Sequence, residues 1–600
     1  MNNEVLKVNI GRFICFTLLF GIIFIFSPPQ GGDNDIWWHL KYGEHFVHNL
    51  TLYIDHSAFS WTPSNPGWLY VTWIGSSLLY IVYSASGFPG LFFLNSLLLV
   101  LVLGLYLIYL KVLDKKTGIT DIFFMIIVAI TVNSPYIKPD SFTTLFFACT
   151  VFVYFYSKTR SRSIFLLNIP LFLIWVNTHG GFIIGLFFIS FVLVAEVLNF
   201  YLIKIAPFSR RILGDFALSV FLSYAILVIN PYGMSYIISI FRDLFFSDYM
   251  EQSNNLLAFQ GIWKQLSPKA TIVGYTTLGW HLIVAMVFFM VACFYAYSKN
   301  KRIDPVVVTT NIIFFLAAML TGRSAKFFPI LWLFSITFIL HPFDQQVPNA
   351  KLSGASLFLI ALFAIVRIET TLTFNHHNSW FGQGFIDAWD PEKEASFIEQ
   401  HKLPPPIFND YLIGGYMIWR MHPEYKVFVD PRYGPFSKEL LSDYFDLVKA
   451  PTYNKLNHFS SKYTFNTVFL SLGQISLIQQ FMHTSEWTLV YFNTNAAVLV
   501  RTNIFEPDDQ ALISSNLGPE RFSHIDDPVV LKNIFNLYNS LNLKREMIVI
   551  RGIYENNVSH YYFMRSGNLS AMDIALRKLS AKYSKPDKQF IDSPSLKSAL

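Results

Sequence analysis

Apolar segments recur along the first 370 residues, most of them long enough to cross a bilayer as a helix. A span needs roughly 17–25 mostly apolar residues, because backbone groups in hydrocarbon have only each other to bond. Candidates lie at 12–28, 90–110, 119–135, 141–157, 182–203, 212–230, 277–297, 305–321, 326–341 and 353–369. The run 163–203 is too long for one span. It breaks at Asn177-Thr178-His179-Gly180-Gly181, which adds a weaker span at 164–178. Charged residues are 14% of the chain, against about 25% in soluble domains. This excludes a soluble enzyme, and no basic block with interleaved aromatics suggests nucleic acid. Cys15, Cys149 and Cys293 each lie inside an apolar segment, so neither a disulfide framework nor a zinc site is expected. Lys7 and Arg12 precede the first apolar run, and Ser27-Pro28-Pro29 follows it without an Ala-x-Ala signal. The N-terminus reads as a retained signal anchor.

The segment 68–86 is apolar enough to span, and whether it crosses sets the side of every later loop. Cationic residues gather on the cytoplasmic side of membrane proteins. With the N-terminus inside and 68–86 not crossing, Lys111, Lys115, Lys116, Lys158, Arg160, Arg162, Lys204, Arg210, Arg211, Lys299, Lys301 and Arg302 all fall inside. With 68–86 crossing, all fall outside. The first arrangement is chosen, and 68–86 is expected as an interfacial or re-entrant helix whose Trp68, Tyr70, Trp73, Tyr80 and Tyr83 suit that depth. The expected fold is thus a polytopic α-helical membrane protein of about eleven spans. A transmembrane domain covers 1–370, with a first outer loop at 29–89.

Beyond Glu369 the composition turns soluble. Strands are expected at Pro406–Phe408 and Lys426–Asp430, and helices within Phe385–His401 and at Leu412–Arg420 and Ser437–Val448. Trp487–Phe492 and Ala496–Arg501 flank Asn493-Thr494-Asn495, a hairpin signal. The alternation predicts an extracytoplasmic α/β domain over 371–504. A helical extension follows over 505–582 and a tail over 583–600.

On the outer face the chain collects its polar residues. Asp33-Asn34-Asp35-Ile36-Trp37-Trp38-His39 opens the first outer loop, placing two carboxylates beside interfacial aromatics. Candidate substrate-binding residues on the same face are His39, Lys41, Lys138, Asn177, His179, Tyr232, Glu251, Arg323 and Lys326. Ionisable groups at a membrane edge are costly unless paired, hydrated or functional. A carboxylate there can take a proton from an incoming hydroxyl or amine, or hold a divalent cation such as Mg or Mn. Lys and Arg at headgroup level can hold a lipid phosphate.

Each residue also has a structural reading. Asp33 suits the cap of a helix beginning near Ile36, and Asp140, after Pro139, suits another cap. Asp35 reads equally as a solvated loop acid, and Trp37 and Trp38 as an interfacial belt. His179, beside two glycines, fits a hydrogen-bonded turn. Arg323 and Lys326 fit side chains reaching for headgroups. Gly414-Gly415 before a helix fits tight packing as well as an anion nest.

Asp33-Asn34-Asp35-Ile36-Trp37-Trp38-His39-Leu40, continuing to Gly43, resembles a bacterial group with the pattern Asp-x-Asp-aliphatic-Trp-Trp-His-Leu-x-x-Gly. Asp55-x-Ser57-x-x-Ser60, Trp175-x-Asn177-x-His179-Gly180-Gly181, Asn230-Pro231-Tyr232-Gly233, Gly414-Gly415-Tyr416 and Asp430-x-Arg432 extend the likeness over about 29–500. The group resembles the GT-C fold membrane glycosyltransferases. That resemblance implies an enzyme that takes a sugar from a polyprenyl-phosphate or polyprenyl-diphosphate carrier on the outer face of the cytoplasmic membrane. It implies a catalytic acid in the first outer loop, here Asp35 as general base with Asp33 assisting or helping to hold a metal. A glycan, lipid or protein acceptor would receive the sugar. A Trp-Trp-Asp acceptor motif is not found, so transfer of a whole oligosaccharide to asparagine is not implied. Two other readings are a lipid-linked-sugar flippase and a non-catalytic envelope-assembly protein. Transporters place charges at mid-membrane and show inverted repeats, whereas here the polar residues gather at one face.

Overall fold

The computed structural model describes residues 14–24, 35–62, 65, 68–132, 137–205, 207–245, 273–343, 356–365, 390–432, 434–504, 518–523, 525, 528–541 and 543–566. The chain divides into two compact units. The first comprises 1–58, 63–386 and 432–438, and the second 59–62, 387–431 and 439–600.

The first unit is built of helices: α1 (Ile14–Phe24), α2 (Asp35–Asn49), α3 (Trp73–Val112), α4 (Ile119–Val132), α5 (Asp140–Arg160), α6 (Asn168–Val176), α7 (Phe182–Leu198), α8 (Arg210–Ala225), α9 (Met234–Phe245), α10 (Val273–Asn300), α11 (Pro305–Leu320), α12 (Phe327–Leu340) and α13 (Ser356–Ile365). Among the described residues, five stretches are long and apolar enough to cross a membrane: Trp73–Val112, Phe182–Ile203, Arg210–Val228, Gly279–Asn300 and Gly322–Phe343. α1, α4, α11, α13 and Phe165–Val176 are apolar but shorter. α5 has the length, but Ser141, Thr143, Thr144, Thr150 and Ser157 dilute its apolar character. This inventory fits the polytopic membrane class expected from the sequence.

The stretch 68–86 is helical from Trp73, and α3 carries on to Val112 with one break. At Gly87 the backbone leaves the helical region (φ 61°, ψ −152°), two residues before Pro89. Glycine, without a Cβ, adopts that conformation without strain.

Aromatic rings fill the core between α5, α7, α11 and α12. Phe147 meets Phe188, Phe314 and Phe327 at centroid distances of 5.5, 5.5 and 5.0 Å. Gly185 lets Trp175 lie against α7, since a Cβ there would overlap the indole ring. Two cations counted toward the charge bias are spent on buried ion pairs. Lys158 reaches Glu196 at 2.7 Å and Asp304 at 2.8 Å, while Lys115 reaches Asp121 at 3.0 Å. Removing one partner from such a set leaves a buried charge uncompensated.

The second unit holds a mixed four-stranded sheet. Its elements run α14 (Glu392–Gln400), β1 (Ile407–Asn409), α15 (Tyr411–Arg420), α16 (Lys438–Lys449), α17 (Tyr453–Lys462), β2 (Thr467–Ser471), α18 (Ile475–Met482), β3 (Trp487–Phe492), β4 (Ala496–Arg501), α19 (Pro528–Ser540) and α20 (Lys544–Ser566). The strand order is β1-β2-β4-β3. β1 pairs parallel with β2, Ile407 opposite Thr467, which requires the long helical crossover between them. β4 pairs antiparallel with β2 and with β3. The strand expected at Lys426–Asp430 is a correction. Only a single bridge forms there, from Val427 to Ser60. The Asn409 side chain takes the place of a ladder, donating to Val429 O (2.7 Å) and accepting from Phe428 N (2.7 Å). Gly414 is a packing glycine, since its Cβ would overlap the Val429 carbonyl.

Candidate functional site

Asp35 opens α2, where the amide groups of the first turn favour an acid. Its Oδ1 accepts a hydrogen bond from Trp38 Nε1 (3.4 Å) and its Oδ2 one from Lys138 Nζ (2.9 Å). Lys138 stands in the turn just before α5. Two residues on, Asp140 is paired with Lys326, whose Nζ lies 2.8 Å from Oδ2 and 3.3 Å from the Asp140 carbonyl. Lys326 precedes α12. The ends of three helices thus bring together charges of alternating sign, Asp35, Lys138, Asp140 and Lys326. These side chains are half-buried, with Asp35 25% and Lys138 26% exposed. The exposed Arg323 lies close enough for its charge to act on Asp35, Tyr70 and His179.

Burial works to raise the Asp35 carboxyl. The Lys138 charge and hydrogen bond, helped by Arg323, override it and hold the group below the usual carboxylate range. His39 is buried and kept neutral, chiefly by desolvation. Its Nδ1 lies 3.2 Å from Ser76 Oγ, and Ser76 donates onward to Thr72 Oγ1 (3.1 Å), so the network assigns the proton to Nδ1. His179 has its pKa lowered to about 3, first by desolvation and then by the nearby cations against the opposing pull of Asp140. Its Nδ1 accepts from Gly181 N (3.0 Å) and lies 3.0 Å from Thr143 Oγ1, which itself accepts from Trp175 Nε1 (3.0 Å). That leaves Nε2–H of His179 as a donor. Gly181 is required here, because a Cβ would come within 2.8 Å of His179 Nδ1 and 2.6 Å of Thr143 Oγ1.

Of the residues expected from the sequence, Asp35, His39, Lys138, His179, Arg323 and Lys326 fall in one electrostatic neighbourhood. The others are used elsewhere. Asn177 is a lock between loops: its Nδ2 donates to Leu173 O (2.9 Å) and Ile229 O (2.8 Å), and its Oδ1 accepts from Trp73 Nε1 (2.8 Å). In this structure its side chain therefore ties Trp73 and Ile229 to the 177–181 turn. Lys41 pairs with Glu44 one turn along α2 (2.8 Å). Tyr232 follows the Asn230 turn, with its hydroxyl 3.5 Å from Ile54 O and its ring edge-on to Tyr53. Asp33 and Glu251 lie outside the described residues.

Three further residues take part in ways the sequence reading did not assign. Asp140 does not cap a helix: Pro139 holds the cap position without a side-chain bond, and Asp140 is an ion-pair partner instead. Complementary pairs at neighbouring span ends, Lys138-x-Asp140 and Arg323-x-x-Lys326, were the available signal. Tyr70 was read as a belt aromatic. It stacks on Trp68 (5.4 Å), stands beside Trp38 (5.9 Å), and feels Asp35, Arg323 and Lys138. Arg432 is buried and donates to the Tyr42 hydroxyl (3.0 Å) and His56 O (2.7 Å), bracing α2 from behind.

The sequence offered Asp33 and Asp35 as ligands for a divalent cation. Among the described residues no three His, Cys, Asp or Glu side chains converge. The partner facing Asp35 is the cation Lys138. Asp33, the second acid of that pair, lies outside the described residues.

No family model matches the chain, and no curated protein matches it. Solved structures do. The archaeal oligosaccharyltransferase AglB from Archaeoglobus fulgidus, in complex with an inhibitory peptide and a dolichol-phosphate, is similar with a TM-score of 0.49 and 12% identity, over 93% of this chain and 87% of that one. ArnT from Cupriavidus metallidurans bound to undecaprenyl phosphate is similar with a TM-score of 0.44 and 12% identity, over 84% and 99%. Its apo state gives 0.43 and 12%, over 84% and 100%.

Proposed function

We propose that the chain transfers a glycosyl group from a polyprenyl-phosphate-linked donor to a lipid, glycan or protein acceptor on the outer face of the cytoplasmic membrane. The observation that carries this reading is the half-buried series Asp35, Lys138, Asp140 and Lys326 with Arg323 beside it. The resemblance of the opening motif supplies the reaction class. In this reading 1–370 is the transmembrane catalytic domain, 371–504 an extracytoplasmic α/β domain and 505–582 its helical extension.

Asp35 is the general base. It takes the proton from the acceptor hydroxyl or amine as that atom bonds to the anomeric carbon, and the bond from that carbon to the carrier phosphate breaks. The electron pair leaves on the phosphate. Lys138, Lys326, Arg323 and the His179 Nε2–H stand where charge-assisted bonds to such an anion are favourable. Lys138 serves both partners. A phosphate that draws Lys138 away from Asp35 removes the charge that depresses the carboxyl, so donor binding makes the base stronger.

Mass spectrometry of envelope lipids and glycans tests the reading. Cells lacking the protein, and cells carrying only Asp35→Asn, are expected to lose the same glycosylated species. An unchanged glycan and lipid profile in the deletion would overturn it.

A further inference from the structure

At the far end of α5 lies a second charged site, which the proposed reaction does not use. A groove of about 500 Å³ is lined by Ile108, Lys111 and Val112 of α3, Tyr156 and Arg160 of α5, and Arg162 just beyond α5. Two contacts link residues around it. Arg160 Nη2 holds Asp114 Oδ2 at 3.1 Å, and the Tyr109 and Thr159 hydroxyls meet at 3.1 Å. Lys111 and Arg162 are exposed and have no side-chain partner among the described residues. Two unpaired cations therefore border a slot whose other walls are the half-exposed Ile108, the partly buried Val112 and a tyrosine.

The position of the groove follows from helix geometry. α5 begins at Asp140 in the candidate site and ends at Arg160 in the groove wall. At 1.5 Å per residue that separates them by about 30 Å, one hydrocarbon thickness. We infer that this groove binds the phosphate of an anionic glycerophospholipid in the leaflet opposite the candidate site, with Lys111 and Arg162 as its phosphate ligands and Ile108 and Val112 against an acyl chain. Basic pockets between helices at a membrane face recognise such headgroups, and the apolar side chains beside the cations suit an acyl chain. The inference does not depend on the glycosyl-transfer reading, because none of these residues belongs to the Asp35 neighbourhood.

Full-length protein in detergent is titrated with dioleoyl-phosphatidylglycerol or dioleoyl-phosphatidylcholine, and retained lipid is counted by native mass spectrometry. Phosphatidylglycerol is expected to be retained preferentially. The double substitution Lys111→Gln with Arg162→Gln is expected to weaken that retention about 30-fold, at about fivefold per cation. Lys111→Arg with Arg162→Lys should keep the preference and so control for folding. Neutralising the exposed pair Lys299 and Lys301 should also leave it intact. Equal retention of the two lipids overturns the inference. So does a preference that survives the double substitution, or one lost equally in the Lys299 and Lys301 control. Inorganic phosphate that displaces phosphatidylglycerol at equal concentration overturns the lipid as the source of the phosphate.

Discussion

Lys138 holds the Asp35 carboxylate at 2.9 Å across 103 positions of sequence, joining the turn before α5 to the first residue of α2. In the proposed reaction the lysine is both the brake on the base and a ligand for the leaving anion. Asp35→Asn is expected to slow transfer by about 10²–10⁴-fold, the usual contribution of a positioned base. Lys138→Gln should act differently. Without its nearest cation the Asp35 carboxyl rises, so the ionised form is lost at a higher pH and the acid limb of kcat/KM moves upward. Donor binding should weaken in the same variant. Rate–pH profiles with a polyprenyl-phosphate sugar check this, and an acid limb that stays in place would count against Asp35 as the titrating base.

Gly43 closes the Trp-Trp-His-Leu motif because α2 and α3 touch there. A Cβ at this position would overlap the Ser76 carbonyl oxygen and lie 2.6 Å from Tyr80 Cβ. Gly43→Ala is expected to push α2 off α3, costing about 1–3 kcal/mol and displacing Asp35. Gly104→Ala, on α3 with nothing within 4 Å, should be neutral or slightly stabilising. Thermal unfolding in detergent compares them. Equal melting temperatures for the two variants would contradict the close approach.

His56 is expected to make the fold acid-sensitive. It is buried, and desolvation, then the Arg432 charge, lowers its pKa to about 3 against the weak pull of Asp55. Between pH about 6.5 and 3 the unfolded chain binds this proton and the native one does not, so stability falls as pH falls through that window. The full effect is on the order of 5 kcal/mol. His56→Asn should flatten the dependence of melting temperature on pH over this range. Arg432→Met should make it shallower without removing it, because burial is the larger cause, and should cost stability at neutral pH by removing the donor to the Tyr42 hydroxyl and His56 O. A slope unchanged in His56→Asn would refute the assignment.

Local signals were legible in the sequence and distant pairings were not. The β3–β4 hairpin, Trp487–Phe492 with Ala496–Arg501, lies where its Asn-Thr-Asn turn and alternation put it. The strand read at Lys426–Asp430 had its own apolar alternation. Its partner is residue 60, far away in the chain, and only one bridge forms. In the candidate site, Asp35 and Lys138 each stood out as charges at span ends. Nothing local linked them, nor Asp140 to Lys326. Asn177 drew notice for its polarity, but every polar atom of its side chain is spent holding backbone and Trp73. Tyr70 was hidden by its chemistry, since a tyrosine at the bilayer surface looks the same whether it anchors or faces a carboxylate.

α5 is pinned at both ends, by Lys326 on Asp140 and by Asp114 on Arg160. The pair on Asp140 is half-buried, while the exposed pair on Arg160 adds little. In a thinner or thicker membrane the mismatch costs a fraction of a kcal/mol for each ångström. The contact of Lys138 with Asp35 is therefore expected to loosen in a bilayer whose apolar layer departs from the length of α5, about 30 Å.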